Sequence, residues 1–247
     1  EKSNFIWKIA DLLRGDYKQS EYGEVILPFT VLCRLDSVLR DTKDEVLKAN
    51  ATLKYKNKAP FLTKITNYKF YNTSEFTFEK LKNDAGNIAD NLIDYIKGFS
   101  ENARTILESF DIYSQISRLD KANLLYLVFL KFVDDIDLNP NNVSNQEMGY
   151  IFEELIRRFS EMSNETAGEH FTPREVIRLM VSILFDPDMA KICEPGFMAK
   201  LYDPAAGTGG MLSAGIEYAA EQNDRAIIEV YGQELNEKTY AICKSDT

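Results

Sequence analysis

Apolar residues recur every three to four positions through most of the first 135 residues, and then the rhythm changes. Phe5 to Leu13 has amphipathic spacing. From about Glu21 to Lys54, Val25, Ile26, Phe29, Leu32, Leu35, Val38 and Leu39 keep helical intervals, with Pro28 near the start. Residues 55–76 break that pattern with mixed Tyr, Lys, Asn and Thr, and predict a loop or small hairpin. Helical spacing returns from Phe78 to about Phe110 and again from Asp120 to Asp134. The densest apolar run, Leu124 to Val133, is interrupted by Lys131 and predicts a buried helix. No run approaches the ~18 residues of a membrane span.

Asp135 to Asn145 is rich in turn formers and predicts a boundary, with a helical domain over 1–145 and a second domain over 146–247. Ser144 with Glu147 three residues later is a capping-box pattern, opening a helix with a stripe of Met148, Ile151, Phe152, Leu155 and Ile156. A polar loop, Ser160 to Glu169, leads to a further helix ending near Leu184 and a Pro/Gly loop, Asp186 to Gly196. Then come a strand (Met198 to Asp203), a glycine turn, a helix (Met211 to Ala220), a strand (Ile227 to Gly232) and a helix from about Asn236. This alternation calls for a parallel sheet with right-handed crossovers, hence an α/β class behind an all-helical N-terminal domain. Two strands leave both edges open and little area to bury. With Glu as first residue and Ser245-Asp246-Thr247 inside a helical pattern, the expectation is a chain trimmed at its start and cut short.

The 247 residues suffice for one large domain or two ordinary ones, and 45% apolar residues suffice for a core. Cys33, Cys193 and Cys243 lie far apart without metal spacing, and no signal peptide is visible. Free thiols in a reducing, cytoplasmic compartment are the default reading. Charge divides the halves. Residues 1–145 carry 20 Lys+Arg against 21 Asp+Glu, whereas residues 146–247 carry 9 against 18. The acidic second half makes a poor stand-alone binder of nucleic acid, because phosphate contacts need cations.

The sharpest chemical feature is Leu201-Tyr-Asp-Pro-Ala-Ala-Gly-Thr-Gly-Gly-Met-Leu212. An apolar strand ends in Asp203, and three glycines (Gly207, Gly209, Gly210) follow where side chains would otherwise stand. Such a turn lets a ligand lie on main-chain N–H groups. A dinucleotide fingerprint needs a third glycine after two further residues, and Met211 and Leu212 stand there instead. Glu234 closes the second strand, where a carboxylate can take both ribose hydroxyls. An acid on each strand end and no room made for pyrophosphate suit S-adenosylmethionine, whose sulfonium and ammonium groups favour acidic surroundings.

Three segments in order carry a family likeness: Gly168-Glu-His-Phe-Thr-Pro-Arg174, Asp203-Pro-Ala-Ala-Gly-Thr-Gly-Gly210 and Gly232-Gln-Glu-Leu-Asn236. Behind a helical first half, they resemble the modification (methyltransferase) subunit of type I restriction–modification systems, DNA adenine-N6 methyltransferases. The resemblance covers essentially the whole chain and implies a Rossmann-like S-adenosylmethionine-dependent methyltransferase domain, of which only the first part is present. It places Phe171, Thr172 and Pro173 at the methionine end of the cofactor, with Glu169, His170 and Arg174 beside them. Asp203, Pro204, Ala205, Gly207, Thr208, Gly209 and Gly210 form the turn beneath it, and Glu234 holds the ribose. The family's acceptor motif, Asn-Pro-Pro-Phe or a close variant, does not occur in these 247 residues, so the resemblance implies no catalytic residue here and a fragment inactive alone. The implied partners are a specificity subunit that reads the sequence, a second modification subunit, a restriction subunit, and double-stranded DNA met through that complex.

Plainer readings stand beside each of these. Thr172-Pro173-Arg174-Glu175 is also a capping box with proline at the first helical position. His170, the one histidine, reads as structural, Asp203 as a loop cap, and Glu234 as a surface acid. Asn139-Pro140-Asn141 lacks a second proline and an aromatic, and reads as linker. Lys54, Lys56, Lys58, Lys64 and Lys69, interleaved with Tyr55 and Tyr68, read as a solvated loop, with contact to DNA or a partner as the alternative. For the whole chain, a non-catalytic assembly module and a nicotinamide-dependent Rossmann enzyme remain the competing classes.

Overall fold

The computed structural model describes residues 4–163 and 172–246, which fall into two compact units, the first reaching Ser163. The first unit is all helical: α1 (Asn4–Leu13), α2 (Tyr22–Leu39), α3 (Lys43–Thr52), α4 (Ala59–Thr66), α5 (Phe78–Lys82), α6 (Ile88–Lys97), α7 (Glu101–Ser109), α8 (Ile112–Lys121), α9 (Leu125–Asp135) and α10 (Asn145–Ser163). α2 is its axis, buried along almost its full length, and it touches α1, α7, α8, α9 and α10. Phe29 of α2 stacks on Phe132 of α9 at 5.5 Å, and Phe78 meets Phe129 edge-on at 5.1 Å. All four rings are shielded from solvent, which makes this aromatic seam the unit's main apolar payload.

Three expectations are corrected here. The single helix expected over residues 21–54 is two, because the chain tightens into a 3-10 turn at Arg40–Thr42. The loop expected over 55–76 contains α4, started by Pro60 in its first turn and stopped by Asn67 in the left-handed conformation. The span from Phe78 to Phe110 is three short helices. Gly98 ends α6, and a Cβ there would stand 2.6 Å from the Ser74 backbone N, so the chain turns where two backbones touch.

The composition break at 135–145 is not where the compact units divide. Buried Arg34 of α2 donates to the carbonyls of Leu138 (2.5 Å) and Val143 (2.8 Å), which pins the polar segment onto the helical unit. α10 then returns to α2, with the Phe159 ring 3.1 Å from where a Gly23 Cβ would be. The capping box that opens α10 forms as expected: the Glu147 N–H donates to Ser144 Oγ (3.2 Å) and the Ser144 N–H to Glu147 Oε2 (2.9 Å).

The second unit contains α11 (Arg174–Phe185), α12 (Met189–Ile192), β1 (Met198–Asp203), α13 (Gly210–Gln222), β2 (Ile227–Gly232) and α14 (Glu237–Asp246). β1 and β2 pair in parallel, Met198 opposite Ile227 through Asp203 opposite Gly232, as the βαβ pattern requires. α13 crosses over one face of the pair. Gly215 lets it settle there, since a Cβ would stand 2.4 Å from Leu201 Cδ2. α11 packs on α13 through Ile177, Val181 and Phe185.

Candidate functional site

The strand register puts Asp203 and Gly232 side by side, so both strands end at the same level and their following loops face each other. Two backbone hydrogen bonds tie those loops together: the Gln233 N–H donates to the Asp203 carbonyl (2.9 Å), and the Ala206 N–H donates to the Gln233 carbonyl (2.9 Å). The side chains continue the ladder. Asp203 Oδ1 accepts from the Ala205 N–H at 3.0 Å, which fixes the first bend of the turn. Glu234 Oε2 accepts from the Gly207 N–H at 2.9 Å, and its Oε1 accepts from the Asn236 N–H at 2.8 Å.

Each glycine has its own reason to be there. Gly207 (φ +55) has nothing within 4 Å of a would-be Cβ, so the turn is open above it. Gly209 (φ +89) lies over Cys243 of α14, whose Sγ would be 2.8 Å from a Cβ. Gly210 starts α13 and would meet Ile177 Cδ1 at 2.8 Å. That close approach brings the first turn of α11 to the edge of the glycine turn. Beneath, Ala206, Leu212 and Cys243 form a small apolar floor with Leu201 and Val230.

Of the residues expected at the site, Asp203, Pro204, Ala205, Gly207, Thr208, Gly209, Gly210 and Glu234 are gathered at the strand ends. Thr172, Pro173 and Arg174 open α11, three to five residues before the Ile177 that touches Gly210. Glu169, His170 and Phe171 lie outside the described residues. The capping-box reading of Thr172 is corrected: α11 starts at Arg174 with Pro173 as its N-cap and no side-chain cap, and the Val176 and Ile177 N–H groups bond the Pro173 carbonyl instead. Thr172 and Pro173 are both exposed.

Leu235 was not among the residues expected at the site. It follows Glu234 directly, is 98% exposed, and sits in an otherwise polar loop. A lone leucine between an acid and an amide was the available signal.

The turn fits a nucleoside-type cofactor without phosphate. A carboxylate has about four acceptor positions. Glu234 uses two of them on backbone N–H groups, which leaves two for a pair of hydroxyls. The open space over Gly207 is a cradle that a side chain would fill. No Lys or Arg occurs between Leu201 and Ile216, so a pyrophosphate would meet Asp203 without a compensating cation.

Comparison with known proteins gives the family. Residues 2–132 match the model of the HsdM N-terminal domain, and residues 143–246 match that of N-6 DNA Methylase. The type I restriction enzyme MjaIX methylase subunit of Methanocaldococcus jannaschii is 24% identical over 99% of this chain and 44% of its own length. The HindI methylase subunit of Haemophilus influenzae is 29% identical over 38% of this chain and 19% of its own. The crystal structure of the type I restriction-modification system methyltransferase subunit from Streptococcus thermophilus shares the fold, with a TM-score of 0.69 over 98% of this chain and 54% of that one, at 22% identity. The chain thus spans about half the length of such proteins or less. The two family-model matches, in this order, make it a member of the family of type I restriction–modification methylase subunits.

Proposed function

We propose that this chain is the cofactor-holding part of a DNA adenine-N6 methyltransferase and that its glycine turn takes S-adenosylmethionine. The observation that carries the reading is Glu234, held across the turn by the Gly207 N–H and still able to accept from two ribose hydroxyls. Leu235 beside it offers an apolar side chain for the adenine ring to cover. Asp203 stands at the end of β1 with one oxygen bonded to the Ala205 N–H, and supplies negative charge to the cationic end of the cofactor. Thr172, Pro173 and Arg174 approach from α11, with Glu169, His170 and Phe171 preceding them in sequence.

When bound, the cofactor supplies an electrophilic methyl group on sulfur. The residues described here position it and set the charge around it. None is assigned to the adenine acceptor, since the sequence holds no Asn-Pro-Pro-aromatic motif. DNA choice by a specificity subunit, assembly with a second modification subunit and a restriction subunit, and a cytoplasmic location all belong to the same reading.

Titration calorimetry of the chain with S-adenosylmethionine tests the reading. We expect micromolar binding, weakened at least tenfold by Asp203→Ala, about 1.4 kcal/mol. Unchanged binding by that variant means the turn is misassigned. No binding at all by the folded chain favours an assembly module, and preference for NAD favours a nicotinamide enzyme.

A further inference from the structure

The chain is acidic, yet one stretch of it holds no acid at all. From Val46 to Ser74, 29 residues carry six lysines and neither Asp nor Glu, while the rest of the sequence carries 23 Lys+Arg against 39 Asp+Glu. In the helical unit this stretch runs from the end of α3 through α4 to the backbone bridge between Asn72 and Phe99. Lys48, Lys54, Lys56, Lys64 and Lys69 are all exposed.

Most of them have no ionic partner. Elsewhere in this unit many cations are matched, Lys8 and Lys131 with Asp135, Lys82 with Asp134, Arg118 with Glu21, Arg157 and Arg158 with Glu154, whereas Lys18, Lys80 and Lys121 form no ion pair among the described residues. Among the described residues, Lys54, Lys56, Lys64, Lys69 and Lys97 form no ion pair. Two loops of the stretch also carry ring contacts, Tyr55 stacked on Phe61 at 4.9 Å and Tyr68 tilted against Phe70 at 5.4 Å.

Two of these lysines, Lys56 and Lys97, meet at one cleft. Lys56, Lys58, Lys97 and Arg104 line a cleft of about 380 Å³, with Glu101 as its one acid. Lys58 is turned inward to the Asn50 carbonyl, and Arg104 reaches Glu108 at 3.5 Å, so Lys56 and Lys97 are its free charges. Asn102 Nδ2 donates to the Lys69 carbonyl at 2.9 Å, which fixes the Lys69 loop against the start of α7, the helix that carries Arg104.

We propose that this lysine-rich, acid-free stretch of the helical unit binds the phosphate backbone of double-stranded DNA without regard to sequence. Exposed cations with no acid among them, two of them at a cleft, are what a row of phosphates needs. Each one engaged releases counterions on binding. Residues 146–247 carry 9 Lys+Arg against 18 Asp+Glu, so in this chain the cations for such a grip lie in the helical unit. The choice of DNA as polyanion rests on the methyltransferase reading above.

The test measures anisotropy of a labelled duplex of about 30 base pairs, of arbitrary sequence, against the chain at rising salt. Two variants of equal charge change are compared. One changes Lys54, Lys56, Lys64 and Lys69 to Gln; the other changes the ion-paired Lys8, Lys82, Lys131 and Lys191 to Gln. We expect the first to weaken binding at least tenfold at low salt and to lower the slope of log K against log salt by about 2–4. The second should lower that slope by less than about 1. Equal losses in both variants, or no binding by the unaltered chain, overturns the proposal. It is equally overturned if the first variant keeps its DNA affinity but loses self-association with an acidic second copy. Calorimetry with S-adenosylmethionine on the same samples keeps the two readings apart, because cofactor binding can persist while DNA binding fails, and the reverse.

Discussion

In the helical unit Phe29, Phe129, Phe132, Leu32 and Leu92 are essentially excluded from solvent, and few large apolar side chains are left outside. In the second unit Leu179 (60% exposed) and Ile183 (64%) of α11 and Met198 (71%) of β1 stand in solvent. The apolar arc of α11 is wider than the side it buries. Ile177, Val181 and Phe185 face α13, while Val176, Leu179, Met180, Ile183 and Leu184 do not. Helical periodicity therefore identifies α11 as a helix without saying which side is core. The first unit buries most of its large apolar side chains, whereas the second has smaller apolar clusters and leaves many of its large apolar side chains outside. Close glycine contacts occur in both.

The largest expected effect follows from that contrast. Phe129→Ala removes a fully buried ring that meets Phe78 edge-on, and should destabilise the helical unit by about 3–5 kcal/mol. Ile183→Ala should stay within about 0.5 kcal/mol, as surface substitutions do. Hydrogen exchange resolved by unit measures both. A loss above about 2 kcal/mol for Ile183→Ala would mean that its face is covered, and would break the comparison.

Glycines give a sharper and smaller version. Gly98→Ala in the helical unit places a Cβ 2.6 Å from Ser74 backbone, which cannot swing aside, and should cost about 1–3 kcal/mol there. Gly207→Ala in the glycine turn meets no atom and should cost only about 1 kcal/mol, through its left-handed backbone. The two are separated by where exchange accelerates: at Ser74 and Ser100 for the first, at Ala206 and Gly207 for the second. Acceleration spread over both units by either change would show that the units do not unfold separately.

Much of the second unit was legible because βαβ chemistry is local. The strands, the crossover helix and the acid at each strand end follow from alternation and glycine placement within forty residues. The role of Glu234 as a clamp on the Gly207 N–H was not legible, because it depends on strand register. In the first unit the apolar spacing identified helices but missed their ends. Asn67 in the left-handed conformation and the Gly98 contact with Ser74 are set by tertiary packing, and α4 hides among polar residues that a period count reads as loop. The packing of residues 135–145 onto the helical unit was hidden for a similar reason. Arg34, more than a hundred residues away, holds the turn-rich segment down.

The smallest expected effect concerns a buried polar network for which the second unit has no counterpart among the described residues. Tyr95 Oη donates to Asp36 Oδ1 at 2.7 Å, and Lys43 Nζ donates to Asn72 Oδ1 at 2.9 Å, with all four residues buried. Burial pushes the Lys43 ammonium down to about 8; the Asp36 carboxylate opposes this and Lys80 adds to it. Burial also raises the Asp36 carboxyl, against the pull of Tyr95, Arg40 and Lys43. For Lys43 the unfolded chain, near its ordinary value of 10.5, holds the proton that the folded chain has lost between about pH 8 and 10.5. Stability from this group therefore rises with pH across that window and is absent below it. Relative to a Lys43→Met variant, the unaltered helical unit should gain on the order of 1 kcal/mol between pH 7 and 9, about 2–4 °C in melting temperature. Asn72 Oδ1 keeps its bond from the Ser74 N–H in that variant, so the network survives the change. Parallel melting curves for the two proteins across this range would mean that the Lys43 ammonium reaches water and that the helical unit is less closed than its aromatic seam implies.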